Sequence, residues 1–238
     1  MALGIVRTLD ILSRKVAGVG LVLRFKRAFA RAPLASSAHY RWSGSPCVGK
    51  KTALIATFAR GSVPKPAITI AEQLSDCGYS CNIIAAADAL FQTDQHFPVM
   101  VRENLGYDFG SWSHAISVLD TAECDTVLLI NDSIIPGPEF KTLINQLEAA
   151  DARTIGVTES DELRHHVQSY LMMFKGTLNR KHWTRIKAFE RKQAIEFYEI
   201  MNFDDFGIRG LFPPVDKRNP SLNRWRNFEQ FFIKRSLI

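Results

Sequence analysis

Only four cysteines occur in the 238 residues, Cys47, Cys77, Cys81 and Cys124, and no two form a Cys-x-x-Cys pair. This scarcity excludes a disulfide-stapled scaffold, and Cys77 and Cys81, flanking a helix end and a strand start, do not have zinc spacing. The thiols read as reduced, which suits a cytoplasmic protein. Long apolar runs are lacking at the N-terminus as well. The longest uncharged stretch there, Val16 to Leu23, is far short of the roughly 18 residues that a spanning helix requires. No cleavage site follows an apolar core, which argues against a secretory signal. Internal repeats are absent. Net charge is absent from most of the chain too. Arg7, Arg14, Lys15, Arg24, Lys26, Arg27 and Arg31 face the single acid Asp10, so residues 1–33 hold the entire net charge of +6. A basic tail on a neutral body is not a basic domain, and no basic-aromatic stripe lies outside it, so the pattern is not that of a nucleic-acid binder.

Two familiar phosphate motifs are incomplete. Gly44-Ser45-Pro46-Cys47-Val48-Gly49-Lys50-Lys51 nearly spells a P-loop, but it ends in Lys rather than Ser or Thr and precedes a strand instead of linking strand to helix. Asp108-Phe109-Gly110 matches the kinase magnesium motif, yet no His-Arg-Asp loop or glycine-rich loop accompanies it.

What is present is ordinary globular composition, 46% apolar and 23% charged, on a chain long enough for one sizeable core. Ile5, Leu9, Leu12, Val16, Val19 and Leu23 recur at steps of four and three, with Arg7 and Arg14 roughly opposite. Residues 1–33 therefore read as a separate basic amphipathic helix. Such a helix could lie on an anionic membrane surface, or pack on its own domain. Residues 34–51, rich in Ser, Pro and Gly, read as a linker, and residues 52–238 as one α/β domain.

Within that domain short apolar runs alternate with helical patterns. Strands are expected at 53–58, 81–86, 98–102, 126–130, 154–157 and 169–174, and helices at 67–77, 111–121 and from Pro138 through Leu147. From Asn179 the pattern turns helical, with loops near 203–219. This alternation predicts a Rossmann-type, mostly parallel sheet with helices on both faces, followed by a helical C-terminal part.

In such sheets ligands bind at the carboxyl ends of the strands. Two polar clusters fall at such ends: residues 102–112, with Asn104, Gly106 and Asp108, and then Asn131-Asp132-Ser133. A carboxylate ending a buried strand is costly unless it meets a donor, a metal or a ligand. Each acid could cap the helix after it, but capping does not account for Asn-Asp-Ser beside a glycine-spaced aromatic and acidic cluster.

Asn104-x-Gly106-x-Asp108-Phe109-Gly110-Ser111-Trp112, Leu129-Ile130-Asn131-Asp132-Ser133 and His166-Val167-Gln168-Ser169-Tyr170 resemble three successive signatures of the rhamnan synthesis F family, and Thr158-Glu159-Ser160 also fits its pattern. The resemblance runs over about residues 52–205. It implies a GT-A-like fold and a glycosyltransferase that moves a sugar, rhamnose by the family's name, from a nucleotide-sugar donor to a cell-surface polysaccharide or lipopolysaccharide acceptor. It further implies Asp108, Asp132, Glu159 and His166 as catalytic candidates. Asn104, Gly106, Asn131, Ser133, Gln168 and Tyr170 would bind donor or substrate, and Asp132 would hold Mg²⁺ or Mn²⁺. The motif has one acid where the pattern usually has two, so metal dependence stays open. Glu199 is a further candidate base, though a surface helix position accounts for it equally well. Arg102 and Lys175 are lone cations that could meet a diphosphate. The expected place is the cytoplasm, with peripheral contact at the inner membrane through residues 1–33. A non-catalytic sugar-binding or scaffold subunit on the same fold is the alternative.

Overall fold

A computed structural model describes residues 19–87, 96–160, 165–176, 178, 180–212 and 230–234. Residues 1–18, which carry most of the expected N-terminal helix, lie outside the described residues, as does Asn179.

The described helix α1 spans Val19–Phe29 and is followed by strand β1, Tyr40–Ser43. The core then runs β2 (Lys51–Ala59), α2 (Lys65–Asp76), β3 (Ser80–Ala87), β4 (Val99–Arg102), α3 (Tyr107–Val118), β5 (Thr126–Asn131) and β6 (Ile134–Pro136). After α4 (Phe140–Ala149) come β7 (Thr154–Ser160), β8 (His166–Val167) and β9 (Leu171–Lys175). The last part holds α5 (Arg180–Trp183), α6 (Arg191–Ala194), a π-helical turn (Ile195–Glu199), α7 (Asn202–Phe206), β10 (Arg209–Phe212) and β11 (Phe232–Lys234).

The main sheet has the order β1-β4-β3-β2-β5-β9-β7-β10, with β8 beside β7. Strands β4, β3, β2 and β5 are mutually parallel. Strand β9 runs antiparallel between β5 and β7, β1 is antiparallel on β4, and β10 is parallel to β7. The fold is therefore α/β with a mostly parallel sheet.

The buried runs of β2 and β5 are apolar on successive residues because both faces of the sheet are covered. Ala53 and Ile55 face one core cluster with Ile70 and Leu74 of α2 and Phe140 and Leu143 of α4. Leu54 and Ala56 face the other, with Trp112 and Ile116 of α3 and with Trp183. The Trp112 indole N–H also donates to the Leu54 carbonyl at 3.1 Å, tying α3 to the centre of the sheet.

Three local expectations change. The stretch 34–51, linker-like by composition, supplies edge strand β1, whose Tyr40–Ser43 pairs with Val99–Arg102. Residues 209–212, read as loop, form edge strand β10. The C-terminal part is thus not purely helical. Helix α1 is not detached either: Leu23 is buried in the second core cluster, and Arg27 donates to the Phe197 carbonyl at 2.9 Å and ion-pairs with Asp205 at 2.5 Å. No helix among the described residues is long and apolar enough to cross a membrane.

Candidate functional site at the switch point of the sheet

From β2 the chain moves through β3 and β4 to one side, then returns to place β5 on the other side of β2. Strand order reverses there, and the loops leaving β2 and β5 diverge to leave a crevice. A cleft of about 600 Å³ opens at this point. The carboxyl ends of three parallel strands reach it through Thr57, Ala86 and Asn131.

The approach to α3 supplies Asn104, Tyr107 and Asp108. Gly106 is the N-cap with φ +82°, and a Cβ on it would stand 3.2 Å from both Ala188 Cα and Gly110 Cα. Gly110 is more constrained still, since its Cβ would fall 2.0 Å from the Leu105 carbonyl oxygen. The pair lets the loop fold tightly over the first turn of α3. Tyr107 follows with φ +54°, a left-handed conformation costly for a tyrosine and found where surroundings over-determine it. It is part-exposed and lines the cleft.

Asp108 is not an N-cap here, because Gly106 takes that place. Its Oδ2 accepts from Asn131 Nδ2 at 2.7 Å. Asn131 in turn accepts at Oδ1 from the Ser133 N–H at 3.1 Å and from the Ser133 hydroxyl. The Asp132 N–H donates to the Ala56 carbonyl at 3.1 Å, and its Oδ2 accepts from Thr57 Oγ1 at 2.8 Å. Loop 131–133 is thus fastened to β2 and to α3 at once. Burial pushes the Asp108 carboxyl up to about 6; the Asn131 hydrogen bond opposes this, and Asp132 and Glu199 add to it.

The wall beyond β5 carries Gln168 and Tyr170. Both are held by Thr158, whose hydroxyl lies 2.8 Å from Gln168 Oε1 and 2.7 Å from the Tyr170 hydroxyl. Ser169 Oγ donates to Glu199 Oε2 at 2.5 Å, which brings the π-helical turn to the cleft. π-Turns recur at functional sites because they displace one side chain from the helical register. Here the residue so placed is Glu199, with Arg191 about two turns before it.

Of the residues singled out from sequence, Asn104, Asp108, Asn131, Ser133, Gln168 and Tyr170 all line the cleft. Gly106 shapes it, and Asp132 borders it through Thr57. His166 and Glu159 do not line it. His166 is a buried residue of β8, with Nε2 3.9 Å from Glu199 Oε1 behind the wall. Glu159 is turned toward β10, where Oε1 accepts the Gly210 N–H at 2.9 Å and Oε2 lies 3.5 Å from His165 Nε2. Arg102 and Lys175 are occupied with backbone carbonyls, Ala35 and Leu105 for the first, Glu148 and Ala150 for the second. Sequence reasoning missed Thr57, Ser169 and Arg191.

No group of three or more His, Cys, Asp or Glu among the described residues could hold a metal by itself. Asp132, with its Oδ2 on Thr57, is the carboxylate that would hold Mg²⁺, an ion that takes one or two protein carboxylates and completes its shell with water and phosphate oxygens.

A model of the family described as rhamnan synthesis protein F matches residues 87–211, just over half of the chain. The chain belongs to that family. The matched span contains the α3 approach, the Asn-Asp-Ser loop, the Thr158–Tyr170 wall and Glu199, so the family pattern and the cleft coincide. Virulence protein VirA of Vibrio anguillarum is 30% identical over 122 residues, 46% of this chain and 39% of that protein. The chain thus spans about two-fifths of that curated relative. Among solved structures, the catalytic domain of Drosophila beta1,4galactosyltransferase 7 in complex with xylobiose covers 70% of this chain and 66% of its own. Its TM-score of 0.34 and 10% identity are too low to carry an argument.

Proposed function

We propose that this family member is a glycosyltransferase of GT-A-like design, which transfers a sugar from a nucleotide-sugar donor to a growing cell-surface polysaccharide or lipopolysaccharide acceptor. The observation that carries the reading is the coincidence of the family's polar residues with one cleft at the switch point of a parallel sheet, where Asn131 holds Asp108 and Thr57 holds the adjoining Asp132.

In this reading Asn131, Asp132 and Ser133 receive the donor. Arg191 supplies the cation that an anionic diphosphate calls for. A divalent ion, when bound, would be held by Asp132 and would neutralise charge on the departing diphosphate. Gln168 and Tyr170, fixed through Thr158, present an amide and an aromatic ring to sugar hydroxyls and ring faces. Asp108 is the group suited to take the acceptor proton, since a carboxyl raised to about 6 is ionised at neutral pH yet more basic than a free one. Glu159 and His166, implied as catalytic by the resemblance, take supporting roles from where they stand: His166 behind Glu199, Glu159 on the β7–β10 edge. Residues 1–33 would make peripheral contact with an anionic membrane from the cytoplasmic side.

The test is a thermal-shift screen of nucleotide diphosphates and nucleotide sugars, with and without Mg²⁺ or Mn²⁺. A donor at 100 times its dissociation constant adds about 2.7 kcal/mol. One nucleotide class should raise the midpoint of the parent, and Asp132→Ala should abolish that rise. If Asp132→Ala binds the donor as well as the parent does, the donor-site assignment is wrong. If no donor shifts the parent, the scaffold alternative gains.

A further inference from the structure

A second cleft, of about 640 Å³, opens between α1 and the segment 181–187. Its walls carry Arg24, Arg27, Lys181, Arg185 and Lys187, together with His182, and among the described residues no carboxylate lines it. Arg27 pairs with Asp205, and Lys187 Nζ donates to the Ala30 carbonyl at 2.8 Å. Lys181 and Arg185 are exposed at the rim.

Beside this hollow runs an apolar ridge. Leu21, Phe25 and Phe29 are 62%, 51% and 79% exposed, and the two phenylalanine rings stack at 6.1 Å. At steps of four they advance only about 40° each around the helix, so they form one stripe. Arg24 and Ala28 lie between that stripe and the buried Leu23 face. Scattered exposed apolar residues are ordinary, but three in one row against a cationic hollow are not.

We propose that this face docks the protein on the anionic phospholipid surface of a membrane. The stripe of α1 enters the interface, and lipid phosphates are held by Lys181 and Arg185. The combination selects the occupant: a lipid interface satisfies a convex apolar ridge and adjoining cations together, whereas a soluble phosphate leaves the ridge in water. This gives the contact proposed for residues 1–33 a second wall, 150 residues further along the chain, and it does not depend on the transferase reading. The π-turn links the two clefts, because Tyr198 lines the basic one and Glu199 the other. Docking therefore fixes how the first cleft is presented to the membrane.

The experiment is sedimentation of the full chain with vesicles of phosphatidylcholine, with and without phosphatidylglycerol. The parent should bind the anionic vesicles and leave the neutral ones. Reversing two cations in Lys181→Glu/Arg185→Glu should weaken binding by on the order of thirtyfold or more, at about 1 kcal/mol per cation. Phe25→Ser/Phe29→Ser should weaken it as well, and both variants, altered only at exposed positions, should keep the parent's melting midpoint. Parent-like binding by the Lys181/Arg185 variant would overturn the proposal and leave the contact to residues 1–33 alone. Equal binding to both vesicles, or to neither, would also overturn it, whatever the donor screen returns.

Discussion

Asp108 holds its proton more tightly in the fold than in the unfolded chain, with a value raised from 3.8 to about 6. The raised value means that its contribution favours the native state below about pH 4 and is lost as pH climbs through 6. Ionised at neutral pH, this half-buried carboxylate opposes folding by about 2 kcal/mol, after discounting for the water that reaches it. Asp108→Asn keeps an acceptor for Asn131 Nδ2 and removes that opposition. The variant should melt roughly 5 °C higher than the parent at pH 8 and show no such gain at pH 4. Sugar transfer should fall by at least about a hundredfold, the scale of a lost general base. In the parent, the rate should decline as the pH drops below 6. A variant less stable than the parent at pH 8 would contradict the assigned cause. Asp132 could be found from sequence because acids rarely follow buried strands without a partner, and Asp108 and Asn131 because each sits in a polar cluster after an apolar run. Thr57 and Ser169 could not, since a lone hydroxyl in an apolar run carries no such signal. Glu199 was ambiguous because a π-turn breaks the 3.6-residue period on which facing is judged.

At the scale of elements, the approach to the cleft is set by Arg102 at the end of β4. Its guanidinium is buried, and it donates to the carbonyls of Ala35 at 3.0 Å and Leu105 at 2.9 Å. It also donates to Ser111 Oγ at 3.2 Å and to His114 Nδ1 at 3.2 Å. Burial lowers its own value to about 10, and burial with the Arg102 charge lowers His114 to about 4, so the imidazole stays a neutral acceptor. One side chain thus joins the segment after α1, the 102–106 loop and α3. Arg102→Met leaves two carbonyls buried without donors and should cost roughly 3 kcal/mol, read as a lower urea midpoint. Arg102→Lys, with fewer donors and no planar fork, should recover only part of that. Donor affinity should weaken in both, since Asn104 rides on this loop and Asp108 on the first turn of α3 that it leads into. A parent-like urea midpoint for Arg102→Met would refute the brace. From sequence alone Arg102 was a lone cation, and nothing local separates a cation facing a cleft from one facing carbonyls. The strands were legible for the opposite reason: 53–58, 81–86 and 126–130 are apolar runs bounded by turns. Short edge strands β1 and β10 are half-exposed and lack such runs. The antiparallel direction of β9 left no mark either, because a strand covered on both faces is apolar whichever way it runs.

Across the whole molecule, the question is whether α1 belongs to the same cooperative unit as the cleft. Leu23 is 7% exposed and sits in the core cluster that holds Trp112, Trp183, Phe197 and Tyr198. Around it, Phe109 lies 5.4 Å from Trp112 and 5.5 Å from Tyr198, and Phe174 lies 5.7 Å from Trp183. This aromatic layer joins α3, β9 and the 180–206 segment, and Arg27 clamps α1 to it through Phe197 and Asp205. A charge placed at Leu23 would enter that layer without a partner. Leu23→Asp should therefore cost roughly 3 kcal/mol and lower the melting midpoint by about 6–12 °C while keeping a single transition. Because the layer also backs the π-turn that carries Glu199, donor affinity should fall with stability. Were α1 an appendage, Leu23→Asp would leave both the midpoint and donor binding at parent values. The two outcomes are several degrees apart, so one melting curve with and without donor decides whether the helix that carries the exposed apolar stripe also supports the cleft.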